Sequence, residues 1–399
     1  MESTIVPKKR ITSIDALRGF ALFGILMFHC MEHFDLMVIP ELNSPFWQKI
    51  DNMVYESIAF LFAGKAYAIF SLLFGLSFFM QMDSQADKGV DFRSRFLWRL
   101  IILLALGYLN GLVYMGEFFV VYAILGVFLI PLYKVPTNVL IVLGVILFLQ
   151  IPDVISFIFL LNGNAPNEPT AAVVYMDSLY AKCADIFMNG SFADVLRFNM
   201  WEGEVAKLLW TFNNARYLQL VGLFIVGMLI GRSGIHKSDE KIVKYSRKVL
   251  PYSVAVFVIF YSIVLLLPYM GVEGFALQKG VTLFKTFANL GMMMMYICGF
   301  MLLYYKTKAS VFLERIAPVG RMSVTNYMAQ SVIGVTLFYG FGFNLAVELT
   351  FLQCMLVGLA VYAVQMLISN WWINRCYYGP MEWGWRMLTW LKPVPLRRR

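Results

Sequence analysis

The sequence predicts an all-α fold, a polytopic integral membrane helical bundle with about ten transmembrane helices. Hydrophobic residues make up 60% of the chain and charged residues only 14%, whereas soluble domains carry roughly 25% charged residues. Many apolar runs reach the ~20 residues that a helix needs to cross a hydrocarbon core. Because these runs take up most of the length, we expect a single integral membrane domain over residues 1–399 and no sizeable soluble domain.

Charged residues, proline or glycine bound each apolar run, and these boundaries place the helices. The predicted spans lie at about 13–32, 56–81, 95–114, 117–134, 138–162, 206–231, 249–270, 283–305, 319–341 and 350–373. The first span follows the basic residues 8–10, lacks a small-residue cleavage site and carries Arg18, so we interpret it as a retained signal anchor. A loop at about 163–205 separates an N-terminal half (about 1–165) from a C-terminal half (about 206–399).

The distribution of basic residues predicts the orientation. With these spans, 24 of the 33 Lys and Arg residues fall on one side of the membrane. The positive-inside rule then places both termini in the cytoplasm and the 163–205 loop outside the cytoplasm, in a multi-pass protein of the cell inner (cytoplasmic) membrane. The net charge of +9 is explained by this topology. Nucleic acid is not an expected partner, because no basic patch interleaved with stacking aromatics in a soluble fold is evident.

The first predicted helix carries an unusual set of polar residues. Asp15, Arg18 and His29 lie within it, with His29 eleven residues after Arg18. A charge inside a bilayer costs roughly 2.5–3.5 kcal/mol on insertion scales, so these side chains should face protein or water. Asp15 and Arg18, at i,i+3, form either a structural pair that anchors the helix end or a site where Arg18 meets the phosphates of a coenzyme.

Three interpretations of His29 are open. Its pKa range suits a general base, and a hydrogen-bonded structural role is the alternative. His33 follows at i,i+4, a spacing that also suits zinc. No further histidine lies in the predicted outer loops, so we expect no metal site.

Two further groups of polar residues are candidates. Asn110 and Glu117 flank a predicted tight turn, where a carboxylate either marks a solvated helix N-terminus or takes part in chemistry. Asn326 and Gln330 lie on one helical face with Ser323, a stripe that either joins helices or, with Arg321, lines a polar path.

Several segments together carry a resemblance to a known family. They are Asp15-Ala-Leu-Arg-Gly-Phe-Ala-Leu-Phe-Gly-Ile25, Phe70-Ser-Leu-Leu-Phe-Gly-Leu-Ser-Phe78, Gly116-Glu-Phe-Phe-Val-Val-Tyr-Ala123, Gly320-Arg-Met-Ser-Val-Thr-Asn-Tyr-Met-Ala-Gln-Ser331 and Tyr378-Gly-Pro-Met-Glu-Trp-Gly-Trp-Arg386. With them, nearly the whole chain resembles the YeiB-type family of uncharacterised membrane proteins, which is placed with the transmembrane acyltransferase superfamily.

This resemblance implies acyl transfer across the membrane. Acyltransferase family 3 carries an Arg followed eleven residues later by a His on its first helix, and Arg18 and His29 match that spacing. In that family and in the heparan-alpha-glucosaminide N-acetyltransferase relatives, an acyl group from cytoplasmic acyl-coenzyme A reaches an acceptor outside. The YeiB-type pattern has His and Asp where this chain has Asn110 and Glu117, and many of its members lack a His at position 29.

We therefore expect a membrane acyltransferase that moves an acyl group, for example from acetyl-CoA, to an outer glycan or small-molecule acceptor. The expected catalytic residues are His29, Glu117 and Asn110. The coenzyme would meet Arg18, Arg99, Arg321, Asn326 and Gln330. The alternative is a non-enzymatic transporter or a membrane protein that binds a lipid or solute. The lipid bilayer is the expected partner in either case, and a homodimer is the assembly to test.

Overall fold

The computed structural model describes residues 11–36, 38–163 and 168–398, and these residues form α-helices without a β-strand. The basic residues 8–10 and part of the predicted break after Asn162 lie outside the described residues. The helices of the first half are α1 (Thr12–Met31), α2 (Pro45–Phe62), α3 (Ala66–Ala86), α4 (Arg93–Val113), α5 (Phe119–Gly126), α6 (Leu129–Leu132), α7 (Thr137–Phe148) and α8 (Ile151–Leu161). The helices of the second half are α9 (Ala171–Asn189), α10 (Phe192–Phe198), α11 (Glu204–Asn213), α12 (Arg216–Ser233), α13 (Asp239–Leu266), α14 (Gly274–Lys306), α15 (Ser310–Arg321), α16 (Ser323–Phe338), α17 (Phe351–Arg375) and α18 (Pro380–Trp390).

The all-helical, multi-pass membrane architecture predicted from composition is confirmed in its coarse form. Within the described residues, seven helical segments are long and apolar enough to cross a membrane, or eight if the bent pair α10–α11 and α12 forms one span. We predicted about ten. The two further predicted spans, at about 117–134 and 319–341, are divided into helices too short to be counted among the seven.

Local breaks explain these differences. Pro131 cannot donate a hydrogen bond to the carbonyl of Val127, and the chain separates α5 from α6 at that point. Met322 separates α15 from α16. The predicted 206–231 helix is also interrupted, because Ala215 adopts a left-handed conformation (φ 46°) and the two parts meet at a 74° bend.

Helix α1 lies at the centre of the bundle and packs against α2, α3, α15, α16 and α17. Its contact with α15 is a backbone contact, because a Cβ at Gly320 would collide with the carbonyl oxygen of Asp15. Arg18 bonds to Ser77 of α3, and Gly24 contacts Ala66 near the start of α3. Helices α1 and α3 therefore run antiparallel. We call the two ends of the bundle the His29 end and the Arg18 end.

Candidate functional site

The chain reverses sharply just beyond His29. Helix α1 ends at Met31, and His33, Phe34 and Asp35 all have positive φ angles of 48°, 55° and 75°. Non-glycine residues adopt this conformation singly and at a cost, and such strain is found mainly at functional sites. The reversal turns the side chains of these residues back toward the bundle, where His33 and Phe34 are buried and Asp35 is half-buried.

This reversal corrects the expectation that His29 and His33 share one helical face. His33 lies beyond the helix and packs between the rings of Phe338 and Phe351, at 5.4 and 5.8 Å. Burial there lowers its pKa to about 4, so His33 is neutral at physiological pH. Among the described residues, no group of three or more His, Cys, Asp or Glu side chains is arranged to hold a metal ion.

His29 itself has a polar environment. Its Nδ1 lies 2.8 Å from the hydroxyl of Tyr114 and 3.8 Å from a carboxylate oxygen of Glu32. Tyr114 is buried, at 1% exposure, whereas the side chains of His29 and Glu32 are 18% and 19% exposed. The ring is thus held on one side by a buried hydroxyl and remains accessible on another, which is the arrangement that a general base requires.

Asp35 is the acidic group of this site that sequence analysis missed. Its side chain points toward Gly116, and a Cβ at position 116 would collide with both the Tyr114 hydroxyl and an Asp35 carboxylate oxygen. Burial raises the pKa of Asp35 to about 7, with the nearby Glu32 adding to the rise. The glycine therefore allows a titratable carboxyl group to lie beside the hydroxyl that holds His29. We call His29, Glu32, Asp35 and Tyr114 the His29 site.

Glu117 lies in the same turn as Tyr114 but has a different environment. Its carboxylate accepts hydrogen bonds from the backbone N–H groups of Phe119 and Val120 at the start of α5. It also faces the ammonium of Lys207 at 3.7 Å, and Lys207 bonds to Glu204 at 2.7 Å. Both Glu117 and Lys207 are buried, at 0% and 3% exposure. Glu117 thus marks a helix N-terminus, as one interpretation predicted, but inside the protein rather than in solvent.

The other predicted polar residues connect helices. Asn110 donates to the hydroxyl of Ser331 at 3.0 Å. Asn326 donates to Ser369 at 3.0 Å, and Gln330 donates to Gln365 at 2.8 Å. These bonds join α4 and α17 to α16, and the three amide side chains are buried. Asn326 and Gln330 thus join helices, which is one of the two roles that the sequence left open for them.

The arginines predicted to meet a coenzyme are distributed over the opposite end. Arg18 pairs with Asp15 at 3.0 Å and donates to Ser77 at 3.0 Å, and its side chain is 18% exposed. Arg99 stacks on Trp385 of α18 at 3.8 Å. Arg321 donates to the carbonyl of Tyr377 at 2.7 Å. Arg99 and Arg321 thus help to attach the C-terminal segment. Arg18 lies on the same helix as His29, about 16 Å along its axis.

Sequence reasoning found His29 and missed Tyr114 and Asp35. Both missed residues lie in turns, where the spacing of residues along the sequence does not predict the direction of a side chain. One signal was present in the sequence: a Tyr and a Gly precede Glu117 in the turn after the third predicted helix. The His29 site and the Glu117–Lys207 pair meet at this turn, since residues 114–117 carry a member of each.

Part of the chain matches a known protein family. The family described as "Protein of unknown function (DUF418)" matches residues 230–392, from the end of α12 through α18. The His29 site lies outside that match. No solved structure matches the chain.

Three relatives match over nearly the full length. "Uncharacterized protein YxaH" of Bacillus subtilis is 26% identical, over 98% of this chain and 97% of the relative. "Uncharacterized 39.9 kDa protein in amylase 3'region" of Bacillus acidopullulyticus is 25% identical, over 97% and 96%. "Uncharacterized protein YeiB" of Escherichia coli is 25% identical, over 96% of each chain. Together with the DUF418 match and the apolar helices, these findings show that the chain is similar, over nearly its full length, to the YeiB-type family of uncharacterised multi-pass membrane proteins.

Proposed function

We propose that this protein is a membrane acyltransferase in which His29 acts as the general base. The observation that supports the proposal is the His29 site, where a partly accessible imidazole is held by Tyr114 at 2.8 Å. The tautomer with a proton on Nδ1, donated to the Tyr114 oxygen, leaves Nε2 free to accept a proton. Glu32, at 3.8 Å, stabilises the imidazolium that results.

The proposed reaction transfers an acyl group from acyl-coenzyme A, for example acetyl-CoA, to a hydroxyl or amine of an acceptor such as a sugar. Nε2 of His29 takes the proton of the acceptor, and the acceptor atom attacks the thioester carbonyl. The carbon–sulfur bond breaks, and the coenzyme A thiolate leaves and takes up the proton. The products are the acylated acceptor and free coenzyme A, and no metal takes part.

The proposed placement of the co-substrates follows from α1. Coenzyme A would approach the Arg18 end, where the basic residues concentrate, and its phosphates would meet the Arg18 guanidinium. Arg99, Arg321, Asn326 and Gln330 are secondary candidates, and each of them, like Arg18, already bonds or stacks within the protein. The acceptor would bind at the His29 end. In this proposal both termini are cytoplasmic and the acceptor is extracytoplasmic.

The test is an assay for free thiol. Purified protein in nanodiscs is incubated with acetyl-CoA and a mixture of glycan acceptors, and coenzyme A release is measured with and without acceptor. Acceptor-dependent release by the wild type and its loss in His29→Gln is the expected result. Arg18→Ala should weaken coenzyme A binding by roughly 1.5–3 kcal/mol, as measured by calorimetry. Equal coenzyme A affinity in the two proteins, or none in either, would remove Arg18 from the proposal.

A transporter is the second candidate, favoured by the interrupted helices. Helices α2 and α3 are separated at residues 63–65, and α11 and α12 meet at a 74° bend. Transporters use such discontinuous helices to bind substrates inside the membrane. Uptake of labelled solutes into proteoliposomes, without thiol release from acetyl-CoA, would favour this function over acyl transfer.

A further inference from the structure

A cluster of three cations lies where two of the helices are interrupted. Lys65 immediately precedes α3, and Arg216 is the first residue of α12. Lys285 lies on α14, one turn before Asn289, and Asn289 contacts Gly64. Arg216 bonds to the hydroxyl of Tyr67, two residues after Lys65, at 2.8 Å. Lys65 is 5% exposed, and its ammonium lies 5.5 Å from the ring centre of Phe60. Within the described part of the chain, the Lys65 side chain has no carboxylate partner. We call these three residues the Lys65 cluster.

Helices α3 and α12 begin at the same end of the bundle. Tyr67 bonds to Gln219 at 2.6 Å near their starts, and Phe79 contacts Gly231 near their ends, so the two helices run parallel. The positive end of each helix dipole therefore points toward the Lys65 cluster. Cations are disfavoured at helix N-termini, and here Lys65 and Arg216 occupy two adjacent ones.

Polar atoms without partners line the same place. The Nη1 of Arg216 donates to Tyr67 and to Gln219, at 2.8 and 2.9 Å, but its Nε is buried without a hydrogen bond. The side-chain nitrogen of Gln219, a fully buried residue, also has no partner. Both groups are donors. Buried donors without partners, and a buried cation without a counter-ion, are costly unless an acceptor is bound.

The nearby carboxylate does not neutralise the cluster. Asp153 acts on Arg216, but it faces a fourth cation, Lys279, at 3.9 Å. Asn289 contacts Gly64 beside Lys65 and contributes an uncharged amide. The Lys65 cluster therefore keeps an excess of positive charge in the half of the bundle nearer His29. The side chain of Lys285 is exposed, so the cluster extends to the protein surface.

We infer that the Lys65 cluster is a binding site for a phosphate oxyanion. Its cations come from three separate parts of the chain, which suits a group that presents oxygens in several directions, and Arg216 offers the fork geometry that phosphate accepts. Discontinuous helices with their N-termini toward an anion are a known design of membrane binding sites. The oxyanion belongs either to a phospholipid headgroup of the adjacent leaflet or to a soluble phosphate compound. The inference uses none of the residues of the His29 site.

Binding is tested on full-length protein in a maltoside detergent without phosphate. Calorimetric titrations use inorganic phosphate in one arm and a short-chain phosphatidylglycerol in the other. Lys65→Gln and Lys285→Gln should each weaken binding roughly 10-fold or more. Lys49→Gln is the matched control, because Lys49 is exposed on α2. Tighter binding of the lipid identifies a headgroup site, and tighter binding of phosphate identifies a soluble ligand. No binding in either arm, or an equal loss in Lys49→Gln, overturns the inference.

The ligand-free protein provides an independent test. Because the three cations repel one another, replacing Lys65 by Met should raise the melting temperature without ligand and abolish stabilisation by ligand. A lower melting temperature would show that Lys65 has a structural partner, and the inference would fail. Lys285→Gln repeats the test at an exposed position, where the substitution does not disturb the packing of the interior. The thiol-release assay is unaffected by either outcome, so this inference and the acyltransferase proposal fail separately.

Discussion

The hydroxyl of Tyr114 lies 2.8 Å from Nδ1 of His29 and joins the turn after α4 to the end of α1. Tyr114 is almost fully buried, whereas the imidazole is partly accessible. A single hydrogen bond thus helps to fix the direction of the His29 imidazole. Variants at these positions separate the chemical role of this contact from its contribution to stability.

His29→Gln should reduce acyl transfer by about 10²–10⁴-fold, because general acid–base groups typically contribute that much. Glutamine keeps much of the size and one hydrogen-bonding end, so the fold and coenzyme A binding should survive. The measurement is coenzyme A release by purified protein with a unimodal size-exclusion profile. His33→Gln is the control, since His33 is fully buried between the rings of Phe338 and Phe351. An unchanged rate in folded His29→Gln would make His29 structural.

Tyr114→Phe should lower the rate roughly 10- to 100-fold, because the hydroxyl holds a ring that becomes charged during the reaction. Tyr339→Phe is a matched control, since its buried hydroxyl donates to the carbonyl of Phe34 at 2.9 Å and does not touch His29. Each variant should lose about 1 kcal/mol of unfolding free energy. Equal losses of activity in the two variants would show that Tyr114 acts only through stability. A changed pH–rate profile in Tyr114→Phe alone would show that it positions His29.

Asp35→Asn should remove a pH dependence of stability. Burial raises the pKa of Asp35 to about 7 in the folded protein, above the ordinary value of 3.8. The folded state thus binds more protons than the unfolded state between these values, so this group destabilises the protein as the pH rises from about 4 to 7. The effect is at most about 4 kcal/mol.

Thermal unfolding of wild type and Asp35→Asn across this pH range measures the difference. Glu41→Gln, an exposed carboxylate of the same loop, should keep the wild-type dependence. If the wild type and Asp35→Asn change in parallel with pH, the carboxyl of Asp35 does not titrate in this range.

Lys207→Met should destabilise the protein by about 3–5 kcal/mol, because it leaves the buried carboxylate of Glu117 without its cation. Combining it with Glu117→Gln should recover part of the loss. The exposed pair of Lys182 and Glu202 is the control, and Lys182→Met should cost at most about 1 kcal/mol. Denaturation curves of the single and double variants give the coupling energy. A Lys207→Met loss no larger than that of Lys182→Met would contradict the buried ion pair.

The orientation prediction is tested by cysteine accessibility. Lys241 lies near the start of α13, in the segment with the densest basic residues, and we expect it in the cytoplasm. Lys241→Cys, in a background without native cysteines, should resist an impermeant thiol reagent in intact cells and react after permeabilisation. Labelling in intact cells would reverse the orientation.

The sequence predicted most helices because apolar length is a local property. The runs that became α1, α4, α13, α14 and α17 cross the bundle close to where composition placed them. The prediction from apolar length failed where a helix is interrupted. Nothing in the apolar pattern distinguishes a continuous helix from one interrupted at Met322 or bent at Ala215, because each break is stabilised by distant partners. Glu382, for example, accepts the N–H groups of Val324 and Thr325 at the start of α16.

By itself, the sequence determined the membrane class and the presence of Arg18 and His29 on one helix. These properties depend on composition and on helical spacing, which are local. Only the tertiary structure brought Tyr114 and Asp35 to His29 and separated His33 from it, because the reversal of residues 33–35 is not encoded in a periodic pattern. The Lys65 cluster likewise exists only in the fold, since residues 65, 216 and 285 lie near one another where helices from distant parts of the chain begin or pass.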